Sequence, residues 1–322
     1  MKRNGITIAG TILLDKLYGI ANYPTAGELV QIIDIGQAVG GCVPNVACDI
    51  KKIRSDIEVV ALGKVGKDQE ADFVNDYLKS NGVVTDAIKV DASERTSFTD
   101  VMSVIGGQRT FFTYAGASSD FGYDDIDFDA ISSKILHLGY FLLLKKVDEG
   151  DGIKILKKAR ELGIETSIDL ISDTANRYAN VVPVLPYVDY LIVNETEASG
   201  LTGIEPTHEN LKAIAEKLRA LGVKKKVIIH EPDLSVCLSD EGYTVLPSFD
   251  LPKTYIKGTT GAGDAFCSGA LIGIHDGLSD AEILEIASCA AVTSLSEPDA
   301  TSGVKSQAEI MKVKDLFERK KI

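Results

Sequence analysis

The segment Thr259-Thr260-Gly261-Ala262-Gly263-Asp264-Ala265-Phe266 sets two glycines beside a carboxylate and then turns helical. Glycine lets the backbone turn tightly and aim successive N–H groups at one point. Beyond it, Ala265, Gly269, Ala270 and Gly273 supply small residues for a closely packed helix face. Gly261, Ala262 and Gly263 are therefore expected to open a helix whose free N–H groups and dipole attract an anion. Asp264 falls in its first turn. A carboxylate beside an anion hole is odd for simple phosphate binding. It suits phosphoryl transfer, where the N–H groups take the charge of the migrating group and the carboxylate takes the attacking hydroxyl's proton. Two plainer readings stay open. Gly-x-Gly occurs in dinucleotide folds, although Phe266 replaces the third glycine and the motif lies near the C-terminus. Asp264 could also simply favour a helix start. A Walker-type P-loop is excluded, because the segment lacks its spacing and lysine.

Working outward, short apolar runs alternate with helical patterns. Strands are expected at Gly5–Ala9, Ile57–Leu62, Ile135–Leu138, Ile164–Ile168, Tyr190–Val193 and Val227–Ile229. Helices are expected over Asp68–Ser80, Ile153–Leu162 and Asn210–Leu221, each followed by a glycine that stops it. This alternation predicts an α/β fold, a three-layer, doubly wound, mostly parallel sheet. Thr96–Val104 and Arg109–Tyr114 break the rhythm. They read as a hairpin turning at Ile105–Gln108. With Leu29–Ile35 they predict a small β-rich lid, inserted from about 11–37 and 96–118 into one domain spanning 1–322.

The chain has 322 residues, 34 Lys and Arg against 47 Asp and Glu, and a net charge of −13. That balance argues against nucleic acid or an anionic membrane as partner. No apolar run approaches a membrane span, and Lys2-Arg3 followed by Gly5–Leu14 reads as a first strand rather than a leader. Cys42, Cys48, Cys237, Cys267 and Cys289 are scattered without a C-x-x-C pair. They read as small core residues in a reducing, cytoplasmic setting.

The Thr259–Asp264 segment resembles the C-terminal signature of the ribokinase/PfkB family of carbohydrate kinases. Gly40-Gly41-Cys42-Val43-Pro44-Asn45-Val46-Ala47 resembles its N-terminal Gly-Gly…Asn signature. Leu62–Asp68 is similar to its G-x-V-G-x-D stretch, and Asn194-Glu195-Thr196-Glu197 to its N-x-x-E motif. The resemblance implies a ribokinase-like fold and ATP-dependent phosphorylation of a sugar hydroxyl. It implies Asp264 as general base and Gly261, Ala262 and Gly263 as the hole for the γ-phosphate. Asn194 and Glu197 would organise Mg²⁺ and phosphates, Glu197 through water. Thr260 and His230 would border the nucleotide, with a structural role the plainer reading for His230. Gly40, Gly41 and Asn45 would contact the acceptor, and so would Asp15 within Thr11–Leu17. A carboxylate there suits two adjacent hydroxyls, the plainer reading being a solvated loop residue.

On the lid, alternation puts Phe98, Asp100 and Met102 on one face; if that face is the inner one, Asp100 reaches the substrate. Arg109 reads as a solvated hairpin residue, with a substrate phosphate as the alternative. Asp169 lines the site or caps a loop. The family also implies a homodimer through the lid. Three departures stand out. Gly258 replaces an aspartate that helps build the family's monovalent-cation site, which puts that cation in doubt. His230-Glu231-Pro232-Asp233-Leu234 lacks the glycines of the usual loop near ATP. Asp299-Ala300 stands where Gly-Ala is common. Rival functions are a nucleoside kinase, disfavoured by the absence of an aromatic cluster near Asp15 or Asn45, a non-catalytic sugar-binding regulator, and an NAD oxidoreductase.

Overall fold

The computed structural model describes residues 3–104 and 108–322, so the turn expected at 105–107 lies outside the described residues. Eight strands form the main sheet. They are β1 (Ile6–Ala9), β4 (Val59–Leu62), β9 (Ile135–Phe141), β10 (Glu165–Leu170), β11 (Tyr190–Asn194), β12 (Lys226–His230), β13 (Leu234–Ser239) and β14 (Gly242–Pro247). Their spatial order is β14-β13-β12-β11-β10-β9-β1-β4. All pairs from β4 through β12 are parallel, and β12-β13-β14 are antiparallel. The central strands are apolar on both faces because helices cover both.

Helices α1 (Cys42–Ile53), α2 (Gln69–Ser80), α7 (Ala262–Asp276) and α8 (Asp280–Ser294) share one core cluster. Helices α4 (Gly152–Glu161), α5 (Glu195–Thr202) and α6 (Leu211–Ala220) share the other, across the sheet. The small-residue face of α7 is explained by α8: a Cβ on Gly269 would stand 2.6 Å from the Ala287 Cα. The remaining α-helices among the described residues are the short α3 (Gly116–Ser119), α9 (Gln307–Ile310) and α10 (Val313–Leu316).

A second sheet of four strands runs in the order β3-β2-β7-β8, with β2 (Leu13–Ile20), β3 (Ile32–Gly40), β7 (Ser97–Val104) and β8 (Arg109–Tyr114). Strand β3 starts later than expected and continues to Gly40, so it delivers the chain directly into α1. Strand β2 was not expected beyond the surroundings of Asp15. Its pairing with β7 and β3 places Asp15 on a sheet rather than in a solvated loop. A two-stranded sheet, β5 (Lys64–Gly66) with β6 (Lys89–Asp91), was also not expected. Asp68, at the end of the Leu62–Asp68 motif, caps α2 through Ala71 N–H and accepts from both Thr96 N–H and Thr96 Oγ1. That aspartate thereby locks the start of β7 to the main body.

Candidate active site

The ends of β9, β10, β11 and β12 meet the start of α7 in a cleft beyond the carboxyl edge of the parallel strands, where open α/β sheets bind ligands. Gly261 caps α7 with φ of 80°, a left-handed conformation favouring glycine. A Cβ there would also stand 2.5 Å from the Ala300 backbone. Ala262, Gly263 and Asp264 form the first turn. Asp264 is 7% exposed. Asn45 Nδ2 donates to its Oδ2 at 2.9 Å, and the Tyr140 hydroxyl donates at 3.0 Å to both oxygens. Burial, helped by the nearby Asp169 carboxylate, pushes its carboxyl up to about 7. The two donors favour the charged form and oppose that rise.

The sequence marks Tyr140 only as a residue at a strand end, where a site rim is expected, and gives no sign of its bond to Asp264. The Tyr140 φ of 59° is left-handed for a bulky residue, a strain worth about 1–3 kcal/mol. The strain is held by its own N–H, which donates to Asp169 Oδ1 at 2.6 Å. Asp169 thus both lines the cleft and fixes the backbone at Tyr140.

The two signature glycines of the N-terminal motif act as spacers. A Cβ at Gly40 would stand 2.5 Å from Asp15 Oδ2, and one at Gly41 would stand 2.6 Å from the Thr11 carbonyl. Their absence of side chains lets β2 approach the head of α1. Asp15, whose carboxyl burial pushes up to about 7, lines a cavity of about 470 Å³ beneath the small sheet. Leu17, Val101, Ser103 and Phe111 line it with Thr260 and Ala300. Asp15 pairs with Thr99, and Leu17 with Val101. The inner face therefore carries Thr99, Val101 and Ser103. Asp100 pairs with Lys16 and Phe112 and belongs to the outer face, which corrects the expectation that it reaches the acceptor. Alternation gives two faces; only the docking of the sheet decides which is inner. Arg109 is not simply solvated. Its Nη1 donates to Thr260 Oγ1 at 3.3 Å, joining the small sheet to the loop before α7. Phe73, Tyr77 and Phe111 also line this cavity, so aromatic side chains do gather near Asp15.

On the other side of the Thr259–Asp264 loop lies a cavity of about 500 Å³. Asn194, His230 and Gly263 line both this cavity and the cleft, and Phe249, Leu251 and Val292 give the cavity apolar lining. His230 stacks on Phe266 with ring centroids 4.6 Å apart, and burial lowers its imidazole to about 4, so it is neutral at pH 7. The connection from β12 to β13 is short, which accounts for the missing glycine loop. Asn194 caps α5, and Glu197 reaches back to the Asn194 N–H at 3.0 Å. Glu197 also accepts from Ser172 Oγ and Asn194 Nδ2. Burial pushes its carboxyl up to about 8. Gly258 abuts Pro298, where a Cβ would stand 3.0 Å from the backbone. A side chain there would crowd the loop.

The fold and this cleft define a kinase of the ribokinase type, with a helix-borne carboxylate between two cavities. The pfkB family carbohydrate kinase pattern matches residues 11–307, and the chain belongs to that family. It is 25% identical over 315 residues to the ribokinase of Arabidopsis thaliana, covering 96% of this chain and 80% of that protein. It is 27% identical to the adenosine kinase of Saccharomyces cerevisiae over 83% of this chain and 80% of that one. A probable chloroplastic fructokinase-6 of Arabidopsis thaliana is 29% identical over 76% of this chain, which spans 64% of that protein. Among solved structures, Arabidopsis thaliana ribokinase complexed with ribose and ATP superposes with a TM-score of 0.82 at 23% identity, over 97% of this chain and 98% of that one. Among the described residues, no helix is long and apolar enough to cross a membrane.

Removing the phenolic donor should show on its neighbour. In Tyr140→Phe the Asp264 carboxyl loses a bond that favours its ionised form, so its titration is expected to move above the present value of about 7. Carboxyl-carbon NMR across pH 5–9 checks this. A titration that stays put would mean that the hydrogen bond has no electrostatic weight.

Proposed function

We propose that this protein transfers the γ-phosphoryl group of ATP to a hydroxyl of an uncharged sugar held in the cavity beside Asp15. The observation that carries the reading is Asp264: a buried carboxylate with neutral donors, raised to about 7, at the N-terminus of α7 between two cavities. The Asp15 side of the loop would hold the acceptor and the Phe249 side the nucleotide. Asp264 takes the proton of the attacking hydroxyl; a base titrating near 7 suits that task. The N–H groups from Gly261 to Gly263 face the transferring phosphoryl group. Asp15 accepts from acceptor hydroxyls. Among the residues lining that cavity, Arg109 is the single cation, which favours a neutral acceptor over a phosphorylated one. Closure of the small sheet, tied by Arg109 to Thr260, would exclude water and limit wasteful ATP hydrolysis.

The oxygen-rich rim of Asp169, Ser172, Asn194 and Glu197 fits a hard divalent ion. Mg²⁺, when bound, supplies charge neutralisation for the ATP phosphates. Glu197 keeps lone pairs beyond those used in its cap, so it is placed to hold a metal-bound water. A nucleoside acceptor is the second reading, favoured by Phe73, Tyr77 and Phe111 around the acceptor cavity.

The reading is tested by ADP release across free sugars, sugar phosphates and nucleosides. A free sugar is expected to give the highest kcat/KM; a nucleoside in that place would establish the second reading, and no stimulated turnover with any acceptor would overturn both. Asp264→Asn is expected to retain ATP binding and lose about 10²–10⁴-fold in kcat, and wild-type turnover in that variant would remove the base.

Glutamine preserves the capping box, so Glu197→Gln is expected to leave the thermal midpoint without ligand nearly unchanged. It should raise the Mg²⁺ needed for half-maximal rate, and an unchanged Mg²⁺ titration would confine Glu197 to capping α5.

The outer face of the small sheet exposes Ile35 (72%) and Phe112 (56%). Exposed apolar sheet of this kind is stabilised by pairing, and we propose that it pairs with a second copy. Sedimentation equilibrium at micromolar concentration should give twice the chain mass; a monomer, or a dimer unaffected by Phe112→Lys, would refute the pairing.

A further inference from the structure

Below Asp264 lies a group of donors of which the phosphoryl-transfer reading uses only Asp169. Cys42 Sγ, a ring nitrogen of His137 and an Asp169 oxygen all lie within 4.8 Å of one another. His137 Nε2 is 3.5 Å from Asp169 Oδ2 and 3.7 Å from Cys267 Sγ. Cys42, His137 and Cys267 are all at most 2% exposed, and Asp169 is 8% exposed. Two thiols, an imidazole and a carboxylate are the donor types that zinc takes in fours. With bonds of about 2.0–2.3 Å, tetrahedral zinc separates its donor atoms by roughly 3.3–3.8 Å. The two separations from His137 Nε2 fall in that range.

The surroundings are arranged as supporting groups of metal ligands are. His137 Nδ1 is 3.0 Å from Ser167 Oγ. A proton on Nδ1 donated to that hydroxyl leaves the Nε2 lone pair facing the cluster. Asp169 uses Oδ1 on the Tyr140 N–H and turns Oδ2 inward. Cys42 is the first residue of α1, and burial, with the Asp169 and Asp264 carboxylates nearby, holds its thiol well above the usual range, so an entering metal must displace the proton. Asp169 and Cys267 also line the cleft, which gives an ion a route in.

The geometry points to a zinc site in which Cys42, His137 and Asp169, mutually within 4.8 Å, hold one Zn²⁺ and Cys267, beside His137 but outside that mutual set, turns in as the fourth donor, tying α1, β9, the end of β10 and α7 together beneath Asp264. Each thiol loses its proton to the buffer as its sulfur–zinc bond forms. Two protons leave and one divalent ion enters, so the net charge under Asp264 does not change. The ion would therefore act as a cross-link rather than as an electrostatic inhibitor. Mg²⁺, which prefers oxygen, would not compete for it.

Cobalt(II) is the probe, because thiolate-bound tetrahedral cobalt absorbs in the visible and near-ultraviolet whether or not the protein turns over substrate. Reduced, metal-free protein titrated with Co²⁺ is expected to develop both d–d and sulfur-to-cobalt bands that saturate at one ion per chain. Zn²⁺ should abolish them and millimolar Mg²⁺ should not. Cys267→Ser and Cys42→Ser should each lower the sulfur-to-cobalt intensity by about half and weaken Zn²⁺ at least about tenfold. Cys237→Ser, far from the cluster on β13, should match the wild type. Zn²⁺ should raise the thermal midpoint of the wild type and do so less in Cys267→Ser. If Cys42→Ser fails to fold, Cys267→Ser and the wild-type titration decide the matter. Wild-type protein without tetrahedral cobalt bands, or bands that survive Cys267→Ser at full strength, would overturn the site.

Discussion

The carboxylate of Asp264 depends on two neutral donors from distant parts of the chain. Asn45 comes from α1 and Tyr140 from the end of β9. Their convergence requires α1 and α7 to pack against each other and β9 to turn sharply at its carboxyl end. An unpaired buried carboxylate costs several kcal/mol, which hydrogen bonds only partly offset. A lysine or arginine partner would offset more, but would hold the carboxyl in the ordinary acidic range. Neutral donors leave it near neutrality. The glycines follow from the same demand: Gly40 and Gly41 bring β2 and Thr11 close to α1, and Gly261 lets Ala300 rest on the loop that starts α7.

The parts of this arrangement that were legible in the sequence are those in which backbone chemistry restricts residue type. Glycines with positive φ, the carboxylate after them and the apolar runs of parallel strands all leave a local mark. Tyr140 leaves only its place at a strand end. An aromatic residue at a strand end is ordinary, and its left-handed backbone is imposed by Asp169 from another strand. Asp100 shows a different limit. Period-two alternation sorts residues into two faces, but the docking of the whole sheet decides which face is inner, and that depends on Gly40 and Asp68. Strand β2 escaped notice because Asp15-Lys16 interrupts its apolar pattern, and it is stabilised mainly by its partners β3 and β7.

The motif Asn194–Glu197 shows why a signature residue needs its structure. Asn194 and Glu197 satisfy each other's backbone groups as a capping box, a role sufficient to explain both. What the cap does not explain is the burial of Glu197 at the rim of the cleft, 5% exposed and titrating near 8. A helix cap is ordinarily solvated. A cap placed where its carboxyl faces a cavity keeps a rigid acceptor in position without spending side-chain freedom, and this is how a structural element and a cavity-facing group come to share one residue.

The same carboxyls set the cleft against stability. Asp15 and Asp264 are raised to about 7 and Glu197 to about 8, each chiefly by burial. All three hold their protons more firmly in the folded chain than in the unfolded one. Their favourable contribution to folding is therefore complete only below the ordinary carboxylate range, and it is lost as pH rises through 7 to 8. Near neutrality the folded chain carries anions that unfolding would hydrate. The surrounding structure must over-determine their positions, which it does with the α7–α8 contact at Gly269, the Asp68–Thr96 lock and the Arg109–Thr260 bond across the cleft. A phosphate ligand would add to the negative charge unless cations came with it. In this cleft, tolerance of anions is supplied by helix N–H groups and neutral donors, so proton affinity stays high at Asp264, the carboxylate we propose as the base.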